Sequence, residues 1–222
     1  MSPVAPTLDL ERGLLETAPL VFGLDEVGRG ALAGPVTVGA SVIDRAVADE
    51  PIPEGLRDSK LVSEKRRPAV AERTAEWVLR TTLGWATPGE VDEVGIVGAL
   101  GLAATRALAG MREAGIDPTD GIVLLDGSHD YLSATARPRL GRLDVRTVVK
   151  GDRDRASISA ASIAAKVARD VVMVDLHAQH EEYAWERNKG YASAAHRAAI
   201  DAHGLTDHHR RSWAIGPGPA LF

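Results

Sequence analysis

Asp25-Glu26-Val27-Gly28-Arg29-Gly30 closes an apolar run with two adjacent acids and a glycine-flanked arginine. Neighbouring carboxylates repel, so a fold that brings both into one pocket needs a cation there. Paired glycines let the backbone approach a bulky group such as a sugar or a phosphate. Together they point to metal-dependent phosphodiester chemistry. Asp126, before Gly127, ends a second apolar run, and Asp170 lies inside a long segment rich in Ala, Ser and Ile. Ligands of α/β sheets gather at the carboxyl ends of strands. Asp170 could reach the same place if its helix packs across the sheet. Hard cations such as Mg²⁺ bind through a few carboxylates plus substrate phosphate, and four carboxylates suit two such ions.

Each acid also has an ordinary reading. An Asp before Gly is most often a turn residue, and Asp170 could pair with Lys166 one helical turn earlier. The adjacent pair has no such easy reading, because two ionised neighbours gain nothing from burial. It does raise a geometric difficulty, since successive side chains on a strand face opposite ways. A bulge, the strand end or the greater length of Glu26 must resolve it.

The surrounding elements are legible. Residues 21–24 and 34–43 read as strands joined into a hairpin. Ser63 looks like an N-cap, with a helix from Glu64 to about Val78. Residues 79–86 read as a third strand, 88–94 as a short helix and 98–114 as a longer one stopped by Gly115 and Pro118. Strands follow at 121–125 and 143–149. A long helix runs from Ser157 to about His180, its small residues suited to close packing on a sheet, and a last helix spans Ser193 to His203. A hairpin followed by alternating strands and helices implies a mixed sheet in an α/β domain.

The 222 residues are 45% hydrophobic and 26% charged, ordinary for a globular protein. There are no cysteines, which excludes disulfides and thiolate-bound zinc and fits a reducing cytoplasm. No signal peptide is expected at the N-terminus, and no apolar window looks long enough to span a membrane. The net charge of −5 argues mildly against nucleic acid. Yet Arg137 to Arg155 holds seven basic and three acidic residues, net +4, either a solvated face or a surface for phosphates. The histidines match no zinc pattern, and neither a P-loop nor a dinucleotide fingerprint is present.

The ordered motifs are more specific. Gly23-Leu24-Asp25-Glu26-Val27-Gly28-Arg29-Gly30, Ala33-Gly34-Pro35-Val36, Asp58-Ser59-Lys60-Leu61 and Leu125-Asp126-Gly127 together resemble ribonuclease HII. The resemblance continues through Lys150-Gly151-Asp152, Ser157 to Ile163, Ala165-Lys166-Val167 and Arg169-Asp170. It ends with Lys189-Gly190-Tyr191, His196 and His209-Arg210-Arg211-Ser212. It implies a ribonuclease H-like mixed sheet flanked by helices, occupying 1–186 with 1–19 as an N-terminal extension. Residues 187–222 would form a small helical substrate-binding element and tail.

By position the resemblance makes Asp25, Glu26, Asp126 and Asp170 the catalytic, metal-binding acids for two Mn²⁺ or Mg²⁺ ions. Gly28, Arg29 and Gly30 would read the ribose 2′-hydroxyl, the group that separates RNA from DNA. Tyr191 would pack on the sugar beside an RNA–DNA junction, and Lys60 and Lys150 would be phosphate contacts or ordinary ion-pair partners. Asp154 departs from the family, many of whose members carry lysine there; Arg153 and Arg155 are the residues that could compensate. The implied activity is endonucleolytic cleavage of RNA–DNA hybrids and of duplex DNA containing a single ribonucleotide. The cut falls on its 5′ side and leaves 3′-hydroxyl and 5′-phosphate ends, a step of ribonucleotide excision repair. A cytoplasmic monomer is expected, with no recognisable clamp-binding peptide at Pro217 to Phe222. A ribonuclease HIII-like enzyme and a non-catalytic hybrid-binding module are the alternatives.

Overall fold

The computed structural model describes residues 5–57 and 59–213; Asp58 and the Pro217–Phe222 peptide lie outside the described residues. In chain order the elements are α1 (Asp9–Leu14), β1 (Leu20–Val27), β2 (Val36–Ile43), α2 (Arg45–Asp49), α3 (Arg67–Trp77), β3 (Arg80–Ala86) and α4 (Pro88–Glu113). There follow β4 (Gly121–Asp126), α5 (Ser133–Leu140), β5 (Asp144–Val148), α6 (Gly151–Asp154), α7 (Ala156–His177), α8 (Trp185–Asn188) and α9 (Ala194–His203). The five strands form one mixed sheet in the order β3-β2-β1-β4-β5. β1 and β2 are the expected antiparallel hairpin, and β4 and β5 run parallel to β1. This is the ribonuclease H-like arrangement, a mixed sheet with helices on both faces.

One face of the sheet packs on α4 and α5, with Phe22, Leu24, Val38, Val123 and Leu125 meeting Leu100, Ala104 and Leu108. The other packs on α7, with Val21, Ile43, Ile122 and Leu124 meeting Ile158 and Ile163. α7 lies against the strands backbone to backbone. A Cβ at Gly23 would come within 2.3 Å of the Ser157 carbonyl carbon, and one at Gly39 within 2.3 Å of the Ala161 oxygen. No side chain fits there, so these glycines set the distance between α7 and the strand carrying Asp25.

The N-terminal segment fastens the start of α7. Thr7 and Arg155 form a parallel bridge, and Glu11 Oε1 accepts from the Ser157 amide at 3.0 Å and the Ser157 hydroxyl at 2.8 Å. A fully buried carboxylate thus caps the first turn, where free N–H groups would otherwise lack partners. Burial raises the Glu11 pKa above the usual carboxylate value, against the pull of these hydrogen bonds.

Some elements differ from the sequence reading, among them the short helices α1, α2, α6 and α8, which it did not include. Ser63 makes no side-chain cap; Glu64–Arg66 is a 3₁₀ turn and α3 starts at Arg67. A helix begun at Glu64 would ask Pro68 for a backbone bond that proline cannot donate, whereas Pro68 suits a first turn. The two helices expected between 88 and 114 are present, joined end to end as the 26-residue α4 across a non-helical Gly95 (φ 71°). An 18-residue window of α4 has a mean hydropathy of 1.6, long and apolar enough for a membrane span, contrary to expectation. Its Ala99, Ala103, Ala104, Ala107 and Leu108 are instead spent on the sheet. α5, with Pro138 inside it and little amphipathic pattern, was not anticipated.

Candidate active site at the carboxyl ends of β1 and β4

β1 pairs one-to-one with β2 from Val21–Ile43 to Val27–Thr37, so no bulge distorts the Asp25-Glu26 step. The two side chains face opposite ways, as a regular strand requires. Asp25 follows Val21 and Gly23 on the α7 face, where the nearby Ser162 hydroxyl favours its charged form. Glu26 follows Phe22 and Leu24 on the other face, where the Tyr131 hydroxyl donates to Oε2 at 3.4 Å. The strand end resolves the difficulty, because both carboxylates lie at the rim of the sheet and still interact electrostatically.

Parallel pairing of Leu24 with Leu125 puts Asp25 and Asp126 side by side at the ends of neighbouring strands. Asp126 shares the α7 face with Ile122 and Leu124. Its Oδ1 accepts from the Asp152 amide at 3.2 Å, with the Gly151 amide also contributing. The Asp152 side chain, itself buried, joins the group as a further acid, and Lys60 Nζ meets its Oδ2 at 3.0 Å. Burial, then the charges of Glu26 and Asp126, hold Asp25 well above the usual carboxylate range. Asp126 is raised by burial and by Asp152. The hydroxyl of Tyr131 is likewise pushed up by burial and by Glu26.

Asp170 sits on α7 and is held by two cations. Lys166 Nζ lies 2.6 Å from Oδ1 and Arg67 Nη1 3.4 Å from Oδ2. The ordinary ion pair with Lys166 is therefore present. A groove of about 230 Å³ opens beside Asp170, bordered by Arg67, Val171, Val174 and Lys189. Among the described residues, no three acidic or histidine side chains close around one point as an ion would require. The donor set nonetheless fits a hard divalent cation. Asp25, Glu26 and Asp126 offer only carboxylate oxygens, and their mutual repulsion is what a cation relieves.

Directly after these acids comes the glycine-flanked arginine. Gly28 has φ +84°, and a Cβ there would meet Arg169 Nε at 2.2 Å, so both conformation and space demand glycine. Gly30 has neither constraint: nothing lies within 4 Å of its would-be Cβ. The Gly28 amide donates to the Tyr191 hydroxyl at 3.1 Å, and the Arg169 guanidinium lies 5.5 Å from the Tyr191 ring centroid. Arg29 reaches back to Glu26 at 3.4 Å. Thus the structure brings Tyr191 to the Gly28 segment.

Two buried arginines, quoted in the sequence reading only as parts of motifs, were given no role there. Arg169 donates to the carbonyls of Pro35, Lys189 and Ala33. Arg210 donates to those of Gly28, Arg29 and Gly34. The next-door helical element packs Tyr183, Trp185, Ala199 and Ile200 against Leu32, Ala33 and Met173. Within it the His196 Nδ1 and the Tyr191 carbonyl are 2.9 Å apart, so that nitrogen carries the proton. The His209 Nδ1 accepts the Thr206 amide, leaving its Nε2–H to face the His196 Nε2 at 3.2 Å. Burial and the neighbouring His196 lower the pKa of His209 to about 4.

Lys150 is exposed and left-handed (φ 60°) at the start of α6. Arg153 is paired in two places with Asp154 (2.6 and 2.8 Å), so its charge is largely cancelled. Arg155 turns inward, its Nε buried near Glu11. Neither arginine stands free to replace a lysine at 154. Asp152, Arg67 and Ser162 were missed because each acts through a contact far away in sequence. The Lys150-Gly151-Asp152 and Ser157–Ile163 motifs offered a signal for Asp152 and Ser162, and none pointed to Arg67.

Known proteins with the same arrangement are now informative. A protein from Streptomyces avermitilis named ribonuclease HII is 44% identical over 94% of this chain and 84% of that protein. A ribonuclease HII from Paracoccus denitrificans is 44% identical over 94% and 92%. Among solved structures, the ribonuclease HII of a PCNA complex from Archaeoglobus fulgidus superposes with a TM-score of 0.66 at 23% identity, covering 87% of this chain and 95% of that one. A Bst ribonuclease HIII in complex with Mn²⁺ superposes at 0.69 with 20% identity, covering 91% and 70%. With the ribonuclease HII family pattern matched across residues 22–215, this chain belongs to the ribonuclease HII family and is a hydrolytic nuclease.

Proposed function

We propose that this enzyme cuts the RNA strand of RNA–DNA hybrids and the 5′ side of a single ribonucleotide in duplex DNA, leaving 3′-hydroxyl and 5′-phosphate ends. The observation that carries the reading is the Gly28–Tyr191 contact immediately after Asp25-Glu26. It puts a sugar-sized contact surface beside a cluster of carboxylates. Because the Tyr191 oxygen accepts from Gly28, the hydroxyl keeps its own proton to donate. The exposed amides of Arg29 and Gly30 have no partner among the described residues. These donors suit the oxygen of a ribose 2′-hydroxyl, which deoxyribose lacks.

Asp25, Glu26, Asp126 and Asp170 are the residues to hold two Mg²⁺ or Mn²⁺ ions. The chemistry such ions supply is Lewis-acid stabilisation of charge on phosphoryl oxygens. Asp152 steers Asp126 through its amide and keeps Lys60 at the rim. A reducing cytoplasmic setting and action as a monomer complete the proposal. The test uses duplex DNA with one ribonucleotide, a continuous hybrid and an all-DNA duplex, with Mn²⁺, with Mg²⁺ and with chelator. Cleavage of the first two in metal, with the mapped cut 5′ of the ribonucleotide, is expected. Cleavage surviving chelation, or a cut elsewhere, overturns the reading.

A further inference from the structure

We propose that Arg210 is a positioning residue for ribose specificity: it fixes the direction in which the Gly28–Gly30 peptide groups face. The inference rests on the reading of that segment as the sugar contact. Arg210 is fully buried, and its described side-chain hydrogen bonds all go to backbone carbonyls. Nη2 donates to Gly28 at 2.7 Å and to Gly34 at 3.1 Å, and Nη1 donates to Arg29 at 2.9 Å. A peptide group is planar, so tying down a carbonyl aims the next amide the opposite way. With the Gly28 and Arg29 carbonyls drawn inward, the amides of Arg29 and Gly30 are turned away from Arg210. They are the two amides left unpartnered among the described residues of this segment.

The remaining contacts agree. The Gly28 amide is spent on Tyr191, so that amide and the Gly28 and Arg29 carbonyls all have a fixed partner, the Gly28 carbonyl also accepting from the Ala31 amide at 3.2 Å. Arg210 is itself held in place: its amide donates to the Leu32 carbonyl at 2.9 Å, and Ala33 and His209 form an antiparallel bridge. Asp92 secures the next residues by accepting from the Arg211 and Ser212 amides at 2.8 and 2.9 Å. The Trp213 ring lies 5.1 Å from the guanidinium. Burying a cation against carbonyls alone costs stability that an apolar side chain would supply. The planar fork gains fixed geometry, which the point charge of lysine cannot reproduce.

The test is a binding comparison in Ca²⁺, using duplex DNA with one ribonucleotide and the all-DNA duplex of the same sequence. The wild-type enzyme is expected to prefer the first by about tenfold or more. Arg210→Lys should cut that preference at least threefold while the all-DNA affinity stays within about twofold. Trp213→Ala, which removes the ring lying over the guanidinium, should give a weaker version of the same pattern, and serves if Arg210→Lys does not fold. Undiminished preference in the folded variants, or equal loss on both duplexes, overturns the inference. A wild-type enzyme without preference would instead sink the sugar-contact reading beneath it.

Discussion

The amide of Gly28 donates a 3.1 Å hydrogen bond to the hydroxyl of Tyr191, joining residues 163 positions apart. Glycine supplies the conformation and the tyrosine supplies the partner, so in the proposed sugar contact neither would work alone. Tyr191→Phe removes the hydroxyl and keeps the ring. It should lower kcat/KM on a single embedded ribonucleotide by about ten- to a hundredfold, a loss of a hydrogen bond to a polar group. Continuous hybrids, which offer further contacts, should lose less. Equal losses on both substrates would count against the role.

Gly28 and Gly30 should respond differently to the same change. Gly28→Ala forces a left-handed residue against Arg169 and should unfold the segment. Gly30→Ala meets open space at a backbone angle that alanine tolerates. Its thermal midpoint should stay within a few degrees of wild type. Its affinity for a ribonucleotide-containing duplex should nevertheless fall, because the new methyl occupies the substrate side. A stable Gly30→Ala enzyme with full activity would show that this face is not used.

Asp126→Asn isolates the carboxylate cluster. The amide keeps an oxygen for the Asp152 amide and removes a charge that repels Asp25. Cleavage in Mg²⁺ or Mn²⁺ should drop by about 10³-fold or more, several kcal/mol of lost stabilisation. Metal-free stability should hold or rise, read from denaturant midpoints. A variant that retains activity is incompatible with the proposed site.

The C-terminal element should loosen in acid. His209 titrates at about 4 in the folded protein against an ordinary 6.5, so the unfolded chain takes up the proton first. The stability it contributes is complete above about pH 6.5 and lost as pH falls toward 4. Between pH 7.5 and 5 the loss is on the order of 2 kcal/mol. Denaturant titrations of His209→Asn should show a flatter pH dependence than wild type by that amount. An identical slope would remove His209 as the cause.

What the sequence made legible was local or carried by motifs. The β1–β2 hairpin, the break between the two parts of α4 and the small-residue surface of α7 followed from glycine placement and apolar period. Asp25 and Glu26 could be singled out because two adjacent acids in an apolar context are costly. Most partners of the site residues were not legible. The Lys166–Asp170 pair was legible from its i,i+4 spacing, but that Asp152 sits against Asp126, that Arg67 also holds Asp170, and that Arg210 ties the Gly28 carbonyl depends on chain crossings no local pattern records. Ser63 misled because its hydroxyl suits a cap, while Pro68 decided where the helix could begin.

The distance in sequence between Gly28 and Arg210 also has a temporal side. Their bond spans 182 positions, and synthesis runs from the N-terminus. The strand ends bearing Asp25 and Asp126 can pair while the chain is still growing. The segment that follows Glu26 has no guanidinium to hold its carbonyls until Arg210 has been made. On the proposed role of this segment, the nascent enzyme would assemble its acids before it could tell one sugar from another, and selectivity would be the last property to be completed.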